Sequence, residues 1–180
     1  MKKTVIVLIA LLISADLITA QTNYTPVNAE SKVHFTIKNF GIKTGGDFTG
    51  IKGNIKFSAA NCTASLFDVT VDASTIDTDN ESRDEHLRQA EYFDVERYKT
   101  IQFVSTKVVL STVPNRYYVY GNITIKGVTK PVEFGFGAVQ KNGGYLFDGE
   151  FKIDRRDFGV GGSSVSMSDK LTVSLSVFAK

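Results

Sequence analysis

The residues that could do catalytic chemistry are few and poorly spaced for it. Ser82, Asp84 and His86 are the three side-chain types of a hydrolytic triad. They lie two positions apart, however, and side chains at that spacing on a helix do not face each other. Ser82 fits better as the N-cap of a helix, because Glu85 follows three residues later as in a capping box. We therefore predict no catalytic residues and expect the protein not to be an enzyme.

Metal ligands are equally scarce. The chain has one cysteine, Cys62, and two histidines, His34 and His86. Their separations do not match the ligand spacings of zinc sites. We predict no metal site and no resident cofactor, and a single cysteine also excludes an internal disulfide.

The rest of the chain alternates between apolar and polar residues, as half-buried β-strands do. In the segment 117–139, the residues Tyr117, Val119, Gly121 and Ile123 share one face of a first strand. A break at 126–131, with a glycine and a proline, predicts a turn before a return strand of the same kind. Two such strands are not stable alone, so further strands must cover the apolar face.

The same alternation predicts eight antiparallel strands, with one short helix inserted between strands 3 and 4. The segment 41–46 is expected to be the turn after the first strand. Eight strands that each have one apolar face should close into an all-β barrel, because closure removes the exposed edges of a sheet. The interior of such a barrel is either filled with side chains or able to hold one small ligand.

Three glycines favour a cavity over a filled interior. Gly53, Gly121 and Gly149 fall in the inward phase, where a filled core would more usefully carry valine or leucine. Each could instead permit strand coiling. Two alternatives stay open: a barrel with a filled core that acts as a structural or interaction protein of the cell envelope, and an outer-membrane barrel, in which apolar side chains face lipid and polar ones face inward.

The start of the chain has the features of a secretory signal. A basic Met1-Lys2-Lys3 is followed by an apolar run from Val5 to Ile13, which is too short to span a bilayer. We expect 1–20 to be a signal peptide and 21–180 to form a single exported domain, periplasmic or secreted, without a transmembrane segment. The formal net charge of +2 forms no basic stripe, which argues against nucleic-acid binding.

Several motifs, in their order and spacing, resemble those of the YceI-like family. They are Gly46-Asp47-Phe48, Gly53-Asn54-Ile55-Lys56-Phe57, Arg83-Asp84-Glu85-His86-Leu87, Tyr92-Phe93-Asp94, Ile101-Gln102-Phe103, the run from Gly121 to Val132 and the run from Asp154 to Val160. The resemblance implies an extended, lipocalin-like barrel that is exported in bacteria. It also implies a binding protein that holds a polyisoprenoid or other long amphiphile in an apolar bore.

A long chain is also what transfer energies favour. Each buried CH₂ contributes about 0.8 kcal/mol, whereas association costs about 4 to 15 kcal/mol. We therefore expect a bound isoprenoid, fatty-acid derivative or other long-chain lipid, held for transport or storage, and a homodimer is possible. The residues predicted to line the bore share the inward phase of the strands: Val33, Phe35, Ile37, Ile55, Phe57, Val69, Val71, Phe103, Val119, Gly121, Ile123, Phe134, Phe136, Phe147, Gly149, Phe151, Val173 and Leu175.

An anionic head group would need polar surroundings at the mouth of the bore. Arg83, His86 and Arg88 lie on the predicted helix and Arg155 lies in a later charged corner, so these four are candidate head-group contacts. For Arg83, His86 and Arg88 the alternative is that they lie on a helix face exposed to solvent. For Arg155 the alternative is an ion-pair latch within the segment 154–157.

Overall fold

The computed structural model describes residues 22–180, so the predicted signal peptide lies outside the described residues. Its strands are Thr22–Tyr24 (β1), Lys32–Asn39 (β2), Ile42–Phe48 (β3), Lys52–Phe57 (β4), Leu66–Asp72 (β5), Thr100–Leu110 (β6), Arg116–Ile125 (β7), Val128–Lys141 (β8), Gly144–Asp154 (β9) and Met167–Ala179 (β10). An α-helix, Glu81–Arg88 (α1), lies between β5 and β6. Short 3₁₀ turns are formed by Asn28–Glu30, Cys62–Ala64, Ala73–Thr75 and Arg155–Phe158.

The ten strands form one antiparallel sheet in the order β1-β4-β5-β6-β7-β8-β9-β10-β2-β3. Two pairs of backbone hydrogen bonds join strands near the two edges of this sheet to distant parts of the chain. Thr25, just after β1, exchanges bonds of 2.9 and 3.1 Å with Lys180, just after β10. Asp47 of β3 exchanges bonds of 2.8 and 3.0 Å with Asp77. The sheet thus curls into a barrel-like shape, which confirms the all-β, antiparallel and barrel-like part of the prediction.

The predicted number of strands was wrong, because β1 and β3 were missed. β3 occupies most of the segment expected to be a turn, and its two glycines hide the alternation. A Cβ atom at Gly45 would lie 2.5 Å from the backbone oxygen of Phe35, so a residue without a side chain lets β3 lie close against β2. The turn itself is only Phe40 and Gly41, which both have positive φ. β1 has three residues, too few to show a period.

The predicted helix exists, but it follows the fifth strand instead of the third. The strands that flank it are the ones expected; the two missed strands precede it. Its N-cap is Asn80, whose Oδ1 accepts a 3.0 Å hydrogen bond from the backbone N–H of Arg83. The capping box on Ser82 is therefore wrong, since asparagine is as good an N-cap as serine and stands two residues earlier. Within residues 22–180, no helix combines the length and apolar character that a bilayer span requires.

The apolar phase of the strands faces inward. Along β7, Tyr117, Val119 and Ile123 are buried while Tyr118 and Tyr120 are exposed. This is the reverse of the pattern expected for strands whose outer face contacts lipid.

One end of the barrel-like sheet is filled by a cluster of rings that we call the aromatic plug. Its members are Phe57, Phe67, Tyr117, Phe136, Tyr145 and Phe147. Phe57 is at its centre, with the other five ring centroids 5.0 to 6.4 Å from its own. Burial in the plug raises the pKa of the Tyr117 phenol above its ordinary value. A chain-like ligand could not pass through this end without displacing the rings.

Candidate functional site: an apolar cavity

The other half of the barrel-like sheet is hollow and contains a main cavity of about 220 Å³. A second cavity of about 70 Å³ lies between it and the aromatic plug. The two cavities share wall residues, among them Val69, Phe103, Phe134 and Leu175. The two cavities therefore adjoin each other, and this apolar space is smaller on the side of the plug.

The register of three adjacent strands builds the main wall. Val173 of β10 lies opposite Phe35 of β2 on one side and Phe151 of β9 on the other. The ring of Phe151 stacks on that of Phe134 at a centroid distance of 4.7 Å. Inward residues of β2 and β10, such as Val33, stay partly accessible instead of buried, because they face empty space.

The helical segment borders the end of the cavity opposite the plug. Leu87 of α1 and Phe93 just after it border the cavity, and the Phe93 ring packs edge-on against Phe48 at 5.5 Å. The accessible polar and flexible side chains that border the cavity at this end include Asn39, Thr44, Arg83 and Met167, and we call this end the mouth.

Arg83 is the candidate head-group residue that the structure places at the mouth. Its Nε donates to the hydroxyl of Thr78 at 2.7 Å and its Nη2 donates to the Thr78 carbonyl at 2.6 Å. Thr78 in turn donates from its hydroxyl and backbone N–H to the buried carboxylate of Asp84. This network fixes the guanidinium, and within residues 22–180 its Nη1 has no hydrogen-bond partner.

The other three candidates serve different roles. Arg155 is buried and borders the cavity, but its Nη2 binds Asp169 at 2.7 Å and its Nε and Nη1 donate to three backbone carbonyls. It is a latch, with Asp169 as partner instead of an acid within 154–157. Arg88 donates to the carbonyls of Ser74 and Ile76, and His86 is exposed. Neither of these last two borders either cavity.

Most of the residues predicted to line a bore border this space. The main cavity is bordered by Val33, Phe35, Ile37, Val69, Val71, Phe103, Ile123, Phe134, Phe151, Val173 and Leu175. The second cavity alone is bordered by Ile55, Val119, Phe136, Phe147 and Gly149. Phe57 and Gly121 border neither, because Phe57 is the centre of the plug and Gly121 lies beneath the ring of Phe103.

Of the three glycines that were expected to indicate a cavity, one borders it. Gly149 borders the second cavity. Gly121 has a packing reason, since its Cβ would lie 2.5 Å from the carbonyl oxygen of Val104. Gly53 is exposed and adopts a φ of +130°, which side chains rarely allow.

Apart from Arg83, sequence reasoning missed the residues that border the cavity near the mouth. Leu87, Phe93, Phe158 and Val160 lie on the helix or in loops, where no two-residue period shows which side faces inward. Leu171 was in a predicted strand and in phase with Val173, so alternation could have identified it. Asn39 was also missed: its side-chain oxygen is buried at the mouth without a hydrogen-bond partner among the described residues.

Comparisons with known proteins agree with this fold. A family model described as YceI-like domain matches residues 24–179. A UPF0312 protein of Serratia proteamaculans is 32% identical over 170 residues, which cover 89% of this chain and 88% of the relative. The crystal structure of BcnA from Burkholderia cenocepacia has a TM-score of 0.82 and 25% identity, covering 86% of this chain and 99% of BcnA. A domain from Saccharophagus degradans has a TM-score of 0.69 at 12% identity, covering 89% of this chain and 99% of the domain.

Proposed function

The chain belongs to the YceI-like family, and from that membership and its apolar cavity we propose that it binds a long-chain lipid, with a polyisoprenoid as the preferred class. We further propose that the protein is exported and that it carries or stores this lipid without chemical change. The binding of one hydrocarbon chain is the step on which the rest of the proposal depends.

The single observation that supports the proposal is the cavity and its walls. An apolar cavity of about 150 Å³ stays dry and binds benzene. The main cavity has about 220 Å³ and aliphatic and aromatic walls such as Phe35, Phe134 and Phe151. A sugar or nucleotide would leave its hydrogen-bonding groups unsatisfied against these walls. A hydrocarbon has no hydrogen bonds to lose there, and it gains dispersion contacts with the walls.

The plug determines the orientation of a bound lipid. A tail that enters at the mouth reaches the second cavity past Phe134 and stops at the rings around Phe57. The ligand is therefore held tail-first, with its head at the mouth. The bore predicted from the sequence included Phe57, whereas the filled end removes the space around that ring.

The mouth offers two polar contacts for a head group. The buried oxygen of Asn39 lacks a partner within the described chain and would accept a hydrogen bond from a hydroxyl. The Nη1 of Arg83 would donate to a hydroxyl or phosphate oxygen. An amphiphile with a small head of either kind fits this end better than a plain alkane does.

The ligand class is taken from the family resemblance and from one structural neighbour. The Saccharophagus degradans domain is named as polyisoprenoid-binding, and it shares the fold with this chain at 12% identity. Branched methyl groups would pack between the inward phenylalanines. We accordingly expect a prenyl chain to bind more tightly than a straight chain with the same number of carbons.

The test is to purify the protein without detergent and to record its mass under native conditions. We expect an adduct that organic extraction releases and mass spectrometry identifies as a long-chain lipid. For delipidated protein, a prenol at a hundred times its Kd should stabilise the fold by about 2.7 kcal/mol, or roughly 5 to 11 °C in Tm. If the native mass is that of the protein without an adduct, and prenols and fatty acids leave the Tm unchanged, a structural or interaction protein of the envelope is favoured instead.

A further inference from the structure

The β2–β3 hairpin places exposed apolar side chains beside the mouth. Phe40 is 78% exposed, Ile42 is 71% exposed and Val165, in a neighbouring loop, is fully exposed. The backbone N–H of Phe40 donates to the carbonyl of Ser166 at 2.7 Å, which joins the hairpin tip to that loop. Asn39 and Met167, which border the cavity, flank the two segments.

Phe40 occupies a position at which hairpin geometry disfavours it. Phe40 and Gly41 have φ values of 49° and 78°, the two positive angles of a type I′ turn, for which Asn-Gly is the preferred pair. The β8–β9 turn has nearly the same angles, 47° and 79°, and there the residues are Asn142 and Gly143. A bulky aromatic residue at positive φ is an outlier and reduces the stability of the turn.

A second local choice also works against the hairpin. Lys38 and Lys43 lie directly opposite each other across β2 and β3, and both are exposed. Like charges at opposed positions destabilise a strand pair. Among the described residues, neither lysine forms an ion pair. Positions that break a local rule in this way are where function is expected to override stability.

We propose that the hairpin tip, defined as residues 38–43, docks the protein onto an anionic lipid bilayer. Phe40 and Ile42 enter the interfacial region, as apolar residues of peripheral anchors do. Lys38 and Lys43 contact the negatively charged head groups. Because the tip borders the mouth, docking brings the cavity against the membrane surface, and a lipid tail can pass between them without crossing water. This inference rests on the proposed lipid binding.

The experiment measures binding to vesicles of phosphatidylcholine with a quarter phosphatidylglycerol, and to vesicles of phosphatidylcholine alone, by flotation. We expect wild-type protein to bind the anionic vesicles, and added salt to weaken that binding. Lys38→Gln with Lys43→Gln should reduce the partition coefficient by about fivefold per lysine. Phe40→Asn with Ile42→Thr should reduce it by roughly tenfold or more.

A matched control lies at the opposite end of the barrel. Leu110 and Val113 are also exposed, at 65% and 56%, near the β6–β7 turn. Leu110→Thr with Val113→Thr removes similar apolar surface away from the mouth and should leave vesicle binding within about twofold of wild type. The tip variant should keep or raise its Tm, because Asn-Gly suits the turn.

Ligand binding by the same samples separates the two proposals. If a prenol raises the Tm of every variant while only the tip variants lose vesicle binding, docking by the tip is supported. If the ligand binds but wild-type protein does not float with anionic vesicles, or if the control loses binding as strongly as the tip variant, docking is overturned and lipid binding stands. Tip-dependent self-association of wild-type protein in sedimentation, without vesicle binding, would also overturn it. Vesicle binding without any Tm response would instead remove the lipid-carrier proposal.

Discussion

At the scale of single residues, the charged groups around the cavity hold the backbone in place. The guanidinium of Arg155 ties the loop at Val160 and Gly162 to β10 through Asp169. A buried charge of this kind is tolerated because its donors are paired. Arg83, in contrast, keeps one nitrogen free of partners within the described chain, which is why we assign it and not Arg155 to the head group.

Asp72 supplies a pH-dependent contribution that can be tested. Hydrogen bonds from the side chain and then from the backbone N–H of Ser74 hold the pKa of its carboxyl below the usual range. A depressed pKa stabilises the fold above the ordinary pKa of aspartate, and this contribution is lost as pH falls through the lower, folded value. Asp72 caps the Ala73–Thr75 turn but is exposed, and solvent screening weakens its contribution, so Asp72→Ala should lower the free energy of unfolding at pH 7 by less than about 1 kcal/mol.

The measurement is urea unfolding of wild type and variant between pH 7 and pH 2, and we expect the difference to shrink in acid. Ser74→Ala is the control, since it removes the first cause of the shift. NMR titration should show a higher Asp72 pKa in that variant. A difference between wild type and Asp72→Ala that stays constant down to pH 2 would contradict the assignment.

At the scale of elements, close strand approach explains Gly121, whereas Gly149 borders empty space. A Cβ at Gly121 would lie 2.5 Å from the Val104 carbonyl oxygen and 2.6 Å from the Phe103 ring. At Gly149 the nearest atoms, in Gly135 and Phe134, are 3.3 Å away, and the Phe134 ring can shift toward the cavity. We expect Gly121→Ala to cost about 1 to 3 kcal/mol and Gly149→Ala less than about 1 kcal/mol. Thermal unfolding of the two variants checks this, and equal losses would show that the two sites do not differ in packing.

Two-residue alternation was enough to find the long strands and the direction of their faces. The strands around Val33, Phe67 and Val119 were predictable because each has one wet and one dry side. β3 was not predictable, because Gly45 and Gly46 interrupt the alternation of apolar and polar side chains. Apart from Arg83, the mouth was not predictable either, because Leu87 and Phe93 face inward only through the path of the helix and its following turn.

At the scale of the whole molecule, the interior is divided into a filled half and a hollow half. Alternation along a strand cannot distinguish the two halves, because Phe57 and Phe35 are both phenylalanines in the inward phase of an alternating strand. The two halves differ because aromatic residues from several strands meet in only one of them. Rings from β4, β5, β7, β8 and β9 converge on the plug, whereas the smaller side chains of Val33, Val173 and Leu175 leave space in the other half. The same barrel can thus be tightly packed at one end and have space for a ligand at the other.

The division predicts opposite effects for the same kind of enlargement in the two halves. Leu175 borders both cavities and lies opposite Gly149, so Leu175→Phe places a ring into empty space. Cavity filling commonly stabilises by about 0.5 to 2 kcal/mol, and we expect a higher Tm for the ligand-free variant. The same ring occupies volume that a lipid tail needs, so the Tm increase caused by a prenol should shrink.

Val108→Phe is the matched enlargement outside the hollow half. Val108 is fully buried and borders neither cavity, so the larger side chain has no space and should lower stability by about 1 to 3 kcal/mol. Its folded form should still respond to the prenol as wild type does, because the cavity walls are unchanged. Differential scanning calorimetry of both variants, with and without the prenol, gives the four Tm values that this comparison needs. If Leu175→Phe destabilises as much as Val108→Phe and leaves the prenol response intact, the hollow half is not where the lipid binds.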